Sequence, residues 1–255
     1  MKKFSVILVG VFMFLFSTAV VQAEEARLKA NLSFGYFSRY IGGVNEKTVH
    51  DHSVFQQSLA FTDIPSGLYL KLWSSYSPKG GWNSGSGDEI DYIAGIYRTF
   101  YDGKLGIDLG YAFYNLYDVK NTEGDLHAVY LTVDLPEIHR IKPYLSVEGD
   151  IPEDKDVLEG GFTYKVGVKY DFSLPKSLAG QILNLDLSAG GHDGAYGKRP
   201  EIVSFGRLSV ATTLKFWKVD ITPSLNFQKR IGYTTENGGI AEDKIWYGIN
   251  FSAPL

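Results

Sequence analysis

The segment GDEIDYIAGIYRTFYDGKLGIDLGYAFYNLY, residues 87–117, decides the fold class. Apolar and aromatic residues stand at alternate positions on both sides of an Asp102-Gly103 turn, which predicts a β-hairpin. Glu89, Asp91 and Asp108 occupy positions between those apolar residues. Because successive side chains of a strand point to opposite faces, these acids share one face and the hydrocarbon occupies the other. The hairpin therefore predicts a sheet that separates an apolar environment from a polar one.

The same alternation recurs along most of the chain. Residues 28–36, 162–172 and 245–253 each place apolar side chains on one face and small, polar or charged side chains on the other. Applied throughout, the test predicts about twelve strands, and their lengths suit the roughly 9 to 11 residues that a tilted strand needs to cross a bilayer. The predicted strands are 28–40, 53–62, 67–76, 88–98, 104–116, 125–134, 142–150, 161–172, 182–191, 201–214, 219–229 and 244–253.

The connections between predicted strands alternate in length. Long polar segments such as IGGVNEKTVHDH and RIGYTTENGGIAED follow odd-numbered strands, and shorter ones such as DIPSG and KFWK follow most even-numbered strands. Outer-membrane barrels have short periplasmic turns and longer external loops. We therefore expect an all-β fold, an up-and-down antiparallel transmembrane β-barrel of about 12 strands. A secreted soluble sandwich or lipocalin-like barrel is the alternative, because alternation alone does not say which face is inside.

The first residues have the composition of an export signal. Lys2 and Lys3 precede an apolar run over residues 4–21, and Val21 and Ala23 are small residues suited to a cleavage site. We expect a secretory signal peptide over residues 1–23 and one outer-membrane β-barrel domain over residues 24–255. The protein would then be exported through the periplasm to the bacterial cell outer membrane of a Gram-negative organism. An uncleaved N-terminal membrane anchor is the alternative.

Composition limits the partners. The 255 residues include no Cys, so no disulfide can form. The formal charge of −4 becomes about −6 without Lys2 and Lys3, which argues against a nucleic-acid partner. The 17 Tyr and 16 Phe residues favour aromatic belts at a membrane boundary. The expected partners are outer-membrane lipid, lipopolysaccharide and small hydrophilic solutes or ions. No cofactor is predicted, and the pattern does not define an oligomeric state.

Three segments carry a family pattern: SRYIGGV at 38–44, FQQSLAFTDIPSGLYLKLWSSYS at 55–77, and the hairpin at 87–117. They resemble the TorF-like family of outer-membrane porins. They match the family's strand ending in Ser-x-Tyr, its Gly-Phe/Leu-Tyr-x-x-x-Trp strand and its Glu-Ile-Asp-x-x-x-Gly strand. The chain departs from the family at Gly42-Gly43, where Arg-Gly is usual, and in its last residues, FSAPL, which lack a terminal aromatic. The resemblance implies a channel fold more than a particular activity.

The polar face carries charges of both signs. Acids dominate the fourth and fifth predicted strands, and bases stand on the eighth and tenth. In a ring of twelve these groups would face one another across the lumen and orient polar solutes. The leading hypothesis is a passive channel for small hydrophilic solutes through a charged narrow lumen, not an enzyme. The predicted lumen and selectivity residues are Lys71, Glu89, Asp91, Asp108, Lys165, Lys169, Asp186 and Arg207.

Two alternatives keep the barrel but change its function. Opposed charges in a narrow lumen can pair and plug it, as in small barrels. A non-conducting barrel could instead act through its external loops, as a binding protein or an enzyme.

Histidine positions supply the candidate chemistry for that last alternative. The HDH motif at residues 50–52 could hold a transition metal, or it could be a solvated loop. His192-Asp193 could join it in a surface protease, but the acids needed on facing strands are not placed by the sequence. His127 has Val129, and not a serine, two residues away on the same face, so a phospholipase arrangement is excluded. No catalytic residue and no metal ligand is predicted.

Overall fold

The computed structural model describes residues 28–42, 47–78, 88–116, 125–155, 159–175, 181–195, 198–233 and 241–255. The predicted signal peptide, residues 1–23, lies outside the described residues. Within the ranges described, no helix is long and apolar enough to cross a membrane.

The described chain is built from strands. Twelve of them are long: β1 (Leu28–Phe37), β4 (Val54–Asp63), β5 (Leu68–Tyr76), β6 (Glu89–Phe100), β7 (Leu105–Leu116), β8 (Leu126–Asp134), β9 (Ile141–Pro152), β10 (Gly161–Ser173), β11 (Ile182–His192), β12 (Glu201–Thr212), β14 (Val219–Arg230) and β15 (Lys244–Pro254). Three are short: β2 (Tyr40–Gly42) and β3 (Lys47–His50) pair with each other in the first long connection, and β13 (Leu214–Phe216) pairs with β14.

The twelve long strands close into a barrel. Every consecutive pair is antiparallel, β1 pairs with β15, and β12 pairs with β14, so the main ring of long strands has no free edge. The predicted up-and-down barrel of about 12 strands is therefore confirmed, and each predicted strand corresponds to one long strand of the structure.

The hydrocarbon face of the barrel points outward. On β6 the side chain of Tyr92 is 54% exposed, whereas its neighbour Asp91 is only 5% exposed. A soluble domain would bury the apolar residues and expose the charged ones, so the soluble sandwich or lipocalin-like alternative is wrong. Exposed apolar residues occur on every long strand, for example Leu32, Phe61, Leu70, Tyr92, Leu109, Leu131, Leu145, Val166, Leu187, Leu208, Leu225 and Tyr247.

The two ends of the barrel differ. We call the end where β1 begins and β15 ends the turn end, and the opposite end the loop end. The turn end carries compact connections: residues 101–104 join β6 to β7, and a two-residue hairpin joins Ile138 to Ile141. In that hairpin His139 and Arg140 have positive φ angles of 50° and 71°, as a type I′ turn requires.

The opening hairpin forms as its sequence predicts. The cross-strand pairs of β6 and β7 run from Glu89 with Leu116 to Phe100 with Leu105, without a register shift. On the outward face, the rings of Tyr92 and Phe113 stack with centroids 6.3 Å apart. The carboxylates of the hairpin lie on the inward face.

Candidate solute pathway

The structure places every predicted lumen residue on the inward face. Each occupies the position in its strand that alternates with the exposed apolar residues. Their arrangement around the ring, however, differs from a simple opposition of acids and bases. The eight residues fall on β5 (Lys71), β6 (Glu89, Asp91), β7 (Asp108), β10 (Lys165, Lys169), β11 (Asp186) and β12 (Arg207).

A tyrosine lying across a glycine holds Asp108. Tyr69 on β5 is the cross-strand partner of Gly95 on β6, and a methyl group at Gly95 would collide with the Tyr69 ring. The ring therefore lies against the barrel wall over the glycine. From there its hydroxyl donates to Asp108 Oδ1 on β7, at 2.8 Å. One side chain thus links three strands and fixes the carboxylate.

The same arrangement occurs at two further places on the wall. Tyr130 on β8 lies over its cross-strand partner Gly110 on β7, and its hydroxyl meets that of Tyr69. Tyr144 on β9 lies over Gly167 on β10 and donates to the carboxylate of Asp186 on β11, at 3.0 and 3.3 Å. Aromatic rings that cover glycines in this way brace a sheet and take little space from the lumen.

At the loop end, the first long connection folds over the inward face. Tyr40 in β2 donates its hydroxyl to Glu89 Oε2 at 2.9 Å, and its ring centroid lies 5.5 Å from that of Trp73. Burial, and then the charge of Glu89, raises the pKa of Tyr40 well above its usual value, so the hydroxyl keeps its proton at neutral pH. Glu89 and Asp91 lie two residues apart on the same inward face of β6, and both are buried.

Lys71, a predicted lumen residue on β5, lies beside the acids of β6 and not across the lumen from them. It lies on β5, the strand next to β6, and Asp91 is the cross-strand partner of Trp73, two residues along from Lys71. Lys71 is therefore a diagonal neighbour of Asp91, within reach of its charge. The opposition of acids and bases inferred from the sequence therefore does not include Lys71, because the pairing of β5 with β6 places it next to the acids.

Lys169 also has acids beside it. Its ammonium lies 3.8 Å from Asp134 Oδ1 and 4.7 Å from the centroid of the Tyr144 ring, and Asp186 is its cross-strand partner. The expected separation of bases from acids is therefore absent at this position too. Lys165, four residues nearer the loop end, has the small residues Ser146 and Gly190 as cross-strand partners.

Arg207 is the base that stands opposite the carboxylates of β6. Its strand, β12, is six strands from β6 in either direction around the ring of twelve. The Nε–H of Arg207 donates to Ser209 Oγ at 2.9 Å, and an Nη–H donates to Asn226 Oδ1 at 3.3 Å. The guanidinium carbon lies 4.8 Å from the centroid of the Trp246 ring. These contacts fix the orientation of the charged group.

The inward face is tightly packed near the loop end and more open near the turn end. Glu148 and Asp150, in the loop-end half of β9, are each 4% exposed, and Thr163 and Phe205 are fully buried. The side chain of Lys169, in the turn-end half, is 48% exposed. These side chains of the inward face are therefore more buried in the loop-end half than Lys169 is in the turn-end half.

Sequence reasoning missed several residues that shape this face. Asp134, Asn226, Trp246 and the four tyrosines at 40, 69, 130 and 144 were not among the predicted site residues. A usable signal existed, because an inward tyrosine opposite an inward glycine can be recognised once strand register is known. Register depends on the pairing of strands and on their turns, which alternation does not specify.

The histidine motifs have structural contacts. Asp51 of the HDH motif binds Arg39 and also lies 3.0 Å from Lys244 Nζ, tying the first long connection to β15; the side chain of His50 lies outside the described residues. Partial burial opposes ionisation of Asp51, but hydrogen bonds from Arg39 and Lys244 outweigh it and lower the pKa of Asp51 below its usual value. Among the described residues, no group of three or more His, Asp or Glu could hold a metal ion.

His192 and His127 lie in different places. His192 is buried at the end of β11, with Nε2 3.3 Å from Glu201 Oε2, and Nδ1 accepts from the Gly194 amide at 3.2 Å. His127 faces outward, between the Tyr111 hydroxyl and Glu153 Oε1. The structure therefore does not bring them to a common site.

These features define a class, a closed twelve-strand barrel with an apolar exterior and a charged inward face. No family model and no curated protein sequence matches the chain. Solved structures do match, and they include outer-membrane channels and porins.

Three of these structures cover nearly the whole barrel. The COG4313 outer membrane channel from Pseudomonas putida F1 has a TM-score of 0.54 at 10% identity, over 92% of this chain and 98% of that one. The KdgM porin, solved in complex with disordered oligogalacturonate, has a TM-score of 0.53 at 9% identity, over 89% and 99%. The NanC porin has a TM-score of 0.52 at 8% identity, over 89% and 100%. At these identities the likeness shows the fold alone: a porin-like outer-membrane barrel.

Proposed function

We propose that the protein is a porin of the Gram-negative outer membrane, a passive channel for small hydrophilic solutes, and that it belongs with the TorF-like barrels. The signal peptide over residues 1–23 would direct the chain through the periplasm, and the exposed apolar band would contact outer-membrane lipid, with lipopolysaccharide on the outer side. The function requires no enzyme activity and no cofactor.

One observation carries the proposal. The inward face is lined by charged and polar groups, and its large tyrosine rings lie along the wall over Gly95, Gly110 and Gly167. A barrel filled by a packed core would direct such rings toward its axis. The strand that carries Arg207 lies opposite β6 in the ring of twelve, which supports a field between this base and the carboxylates of β6.

Conductance in planar bilayers tests the proposal. The refolded protein is expected to give stepwise currents. Replacing Lys165 and Lys169 by Glu should shift the reversal potential toward cation selectivity, because two inward positive charges become negative. The absence of stepwise currents from correctly folded protein would contradict the channel function. Unchanged reversal potentials would place both lysines outside the ion pathway.

The tight packing of the loop-end half favours a second candidate, a non-conducting barrel that acts through its external loops. Thr163 and Phe205 are fully buried in that half, as expected if side chains fill the lumen. This candidate predicts a folded barrel without conductance. A binding or enzymatic activity would then survive in it and be lost on replacing His50, His52 or His192.

A further inference from the structure

Near the turn end, a partly exposed tyrosine lies beside two carboxylates on the inward face. Tyr97 of β6 is 42% exposed, and its cross-strand partner on β7 is Asp108. Asp134 of β8 pairs with Gly106, two residues along β7 from Asp108. Lys169 of β10 lies next to Asp134. We call Tyr97, Asp108, Asp134 and Lys169 the turn-end cluster.

The ring of Tyr97 is held at its hydroxyl end. A Cβ atom at Gly106 would lie 2.6 Å from the Tyr97 hydroxyl oxygen and 3.1 Å from Asp134 Oδ2, so the hydroxyl and the carboxylate meet over this glycine. Because Tyr97 is on the inward face and much of it is exposed, its ring presents apolar surface to the lumen. On the outward face of the same strand, Tyr92 instead stacks on Phe113.

The two carboxylates of the turn-end cluster supply hydrogen-bond acceptors. The Tyr69 hydroxyl donates to Asp108 Oδ1 at 2.8 Å and so orients that carboxylate. A carboxylate offers about four acceptor sites, so it can also accept from the hydroxyl groups of a solute. Asp108 and Asp134 are diagonal neighbours on β7 and β8, and the α-carbons of such neighbours lie roughly 7 to 8 Å apart. The hydroxyls on opposite sides of one sugar ring can bridge a gap of this size.

Lys169 adds a hydrogen-bond donor. Its side chain is 48% exposed, and its Nζ lies 3.8 Å from Asp134 Oδ1, which is longer than a normal hydrogen bond. An ammonium group donates several hydrogen bonds, so Lys169 can also donate to a solute oxygen. A sugar ring has hydroxyls at its rim and apolar C–H groups on its faces, and those faces pack on aromatic rings. An exposed aromatic ring beside acceptors and a donor therefore suits a saccharide.

We propose that the turn-end cluster is a binding site for a neutral saccharide, whose C–H face packs on Tyr97. Its hydroxyls donate to Asp108 and Asp134, and one of its oxygens accepts from Lys169. A neutral sugar satisfies these groups without bringing another carboxylate beside the two acids. The site rests on the proposed channel function, since its ligand would be a solute in transit. It assigns a solute class to the channel.

The test is saturation-transfer difference NMR of the refolded barrel, titrated with glucose in a detergent that has no sugar headgroup. Sorbitol, the reduced open-chain form of the same sugar, is the matched solute and should bind more weakly because it has no ring to pack on Tyr97. Tyr97→Ala should weaken glucose binding roughly 3 to 10 times. Tyr97→Phe keeps the aromatic ring and should recover most of that loss. Tyr92→Ala, which removes a tyrosine from the outward face of the same strand, should match the parent.

Heat-modifiable gel mobility identifies folded samples. If Tyr97→Ala fails to fold, Asp108→Asn replaces it, with an expected loss of about fivefold because a charge-assisted hydrogen bond becomes a neutral one. Equal binding of glucose and sorbitol, or unchanged glucose binding in the folded variant, would overturn the site. The binding measurement does not depend on current. Glucose binding without conductance would therefore contradict the channel and leave the site, and conductance without glucose binding would do the reverse.

Discussion

Both halves of the inward face carry charged side chains, but these side chains are buried to different extents. In the loop-end half, Asp91 is 5% exposed and shares its face with Glu89, which accepts a hydrogen bond from Tyr40. In the turn-end half, Lys169 and Asp134 form an ion pair, but both side chains are more than two-fifths exposed. The strand pattern is identical in both. The difference indicates that alternation places a residue on the lumen face, whereas burial determines whether its charged group stabilises the fold or is available to solutes.

Replacing Lys71 by Met should give the largest effect on stability. The change removes the ammonium group that neighbours the buried Asp91, which should lower the free energy of unfolding by roughly 3 kcal/mol. Adding Asp91→Asn should recover part of this loss. The matched change Lys169→Met, in the exposed half, should cost less than about 1 kcal/mol. Urea titration of the folded barrel in lipid measures all three, and equal losses at residues 71 and 169 would remove the distinction between the halves.

Replacing Gly110 by Ala tests the tyrosine arrangement. A methyl group there collides with the ring of Tyr130 and should force it away from the wall, costing about 1 to 3 kcal/mol and reducing conductance. Gly206→Ala is the control, because its added Cβ would meet only Ile231, at 3.4 Å. Unchanged stability and conductance in Gly110→Ala would show that neither property requires the Tyr130 ring to lie against the barrel wall.

The smallest effect on stability is expected when the pH is lowered. Because the pKa of Asp51 is lower in the folded protein, its contacts with Arg39 and Lys244 stabilise the fold above the unfolded pKa and are lost as the pH falls through the folded value. Carbon NMR of the Asp51 carboxyl should therefore give a midpoint below about 3.9, the usual value for Asp. Lys244→Met should move it upward. A midpoint at or above the usual value would contradict the tie between the first long connection and β15.

The sequence predicted the architecture well and the site only in part. Twelve strands followed from alternation because each long strand has one hydrocarbon face, as Tyr92 beside Asp91 illustrates. The inward placement of the charges followed from the same parity. The partners of these charged residues could not be predicted from alternation, because the neighbours of Lys71 and Lys169 depend on strand register and on the reach of long side chains. The role of Tyr40 depended on the path of a long loop, which no periodic pattern specifies.

A cysteine at Ser188 tests the central claim, that solutes pass through the lumen along the inward face. The chain contains no native Cys, and Ser188 lies inward between Gly167 and Arg207. The account predicts that a small charged thiol reagent lowers the single-channel current of Ser188→Cys in discrete steps. The same reagent should leave Leu208→Cys, on the outward face, unchanged. Stepwise currents that do not respond to modification of the Ser188→Cys thiol, or a folded barrel without current, would contradict it.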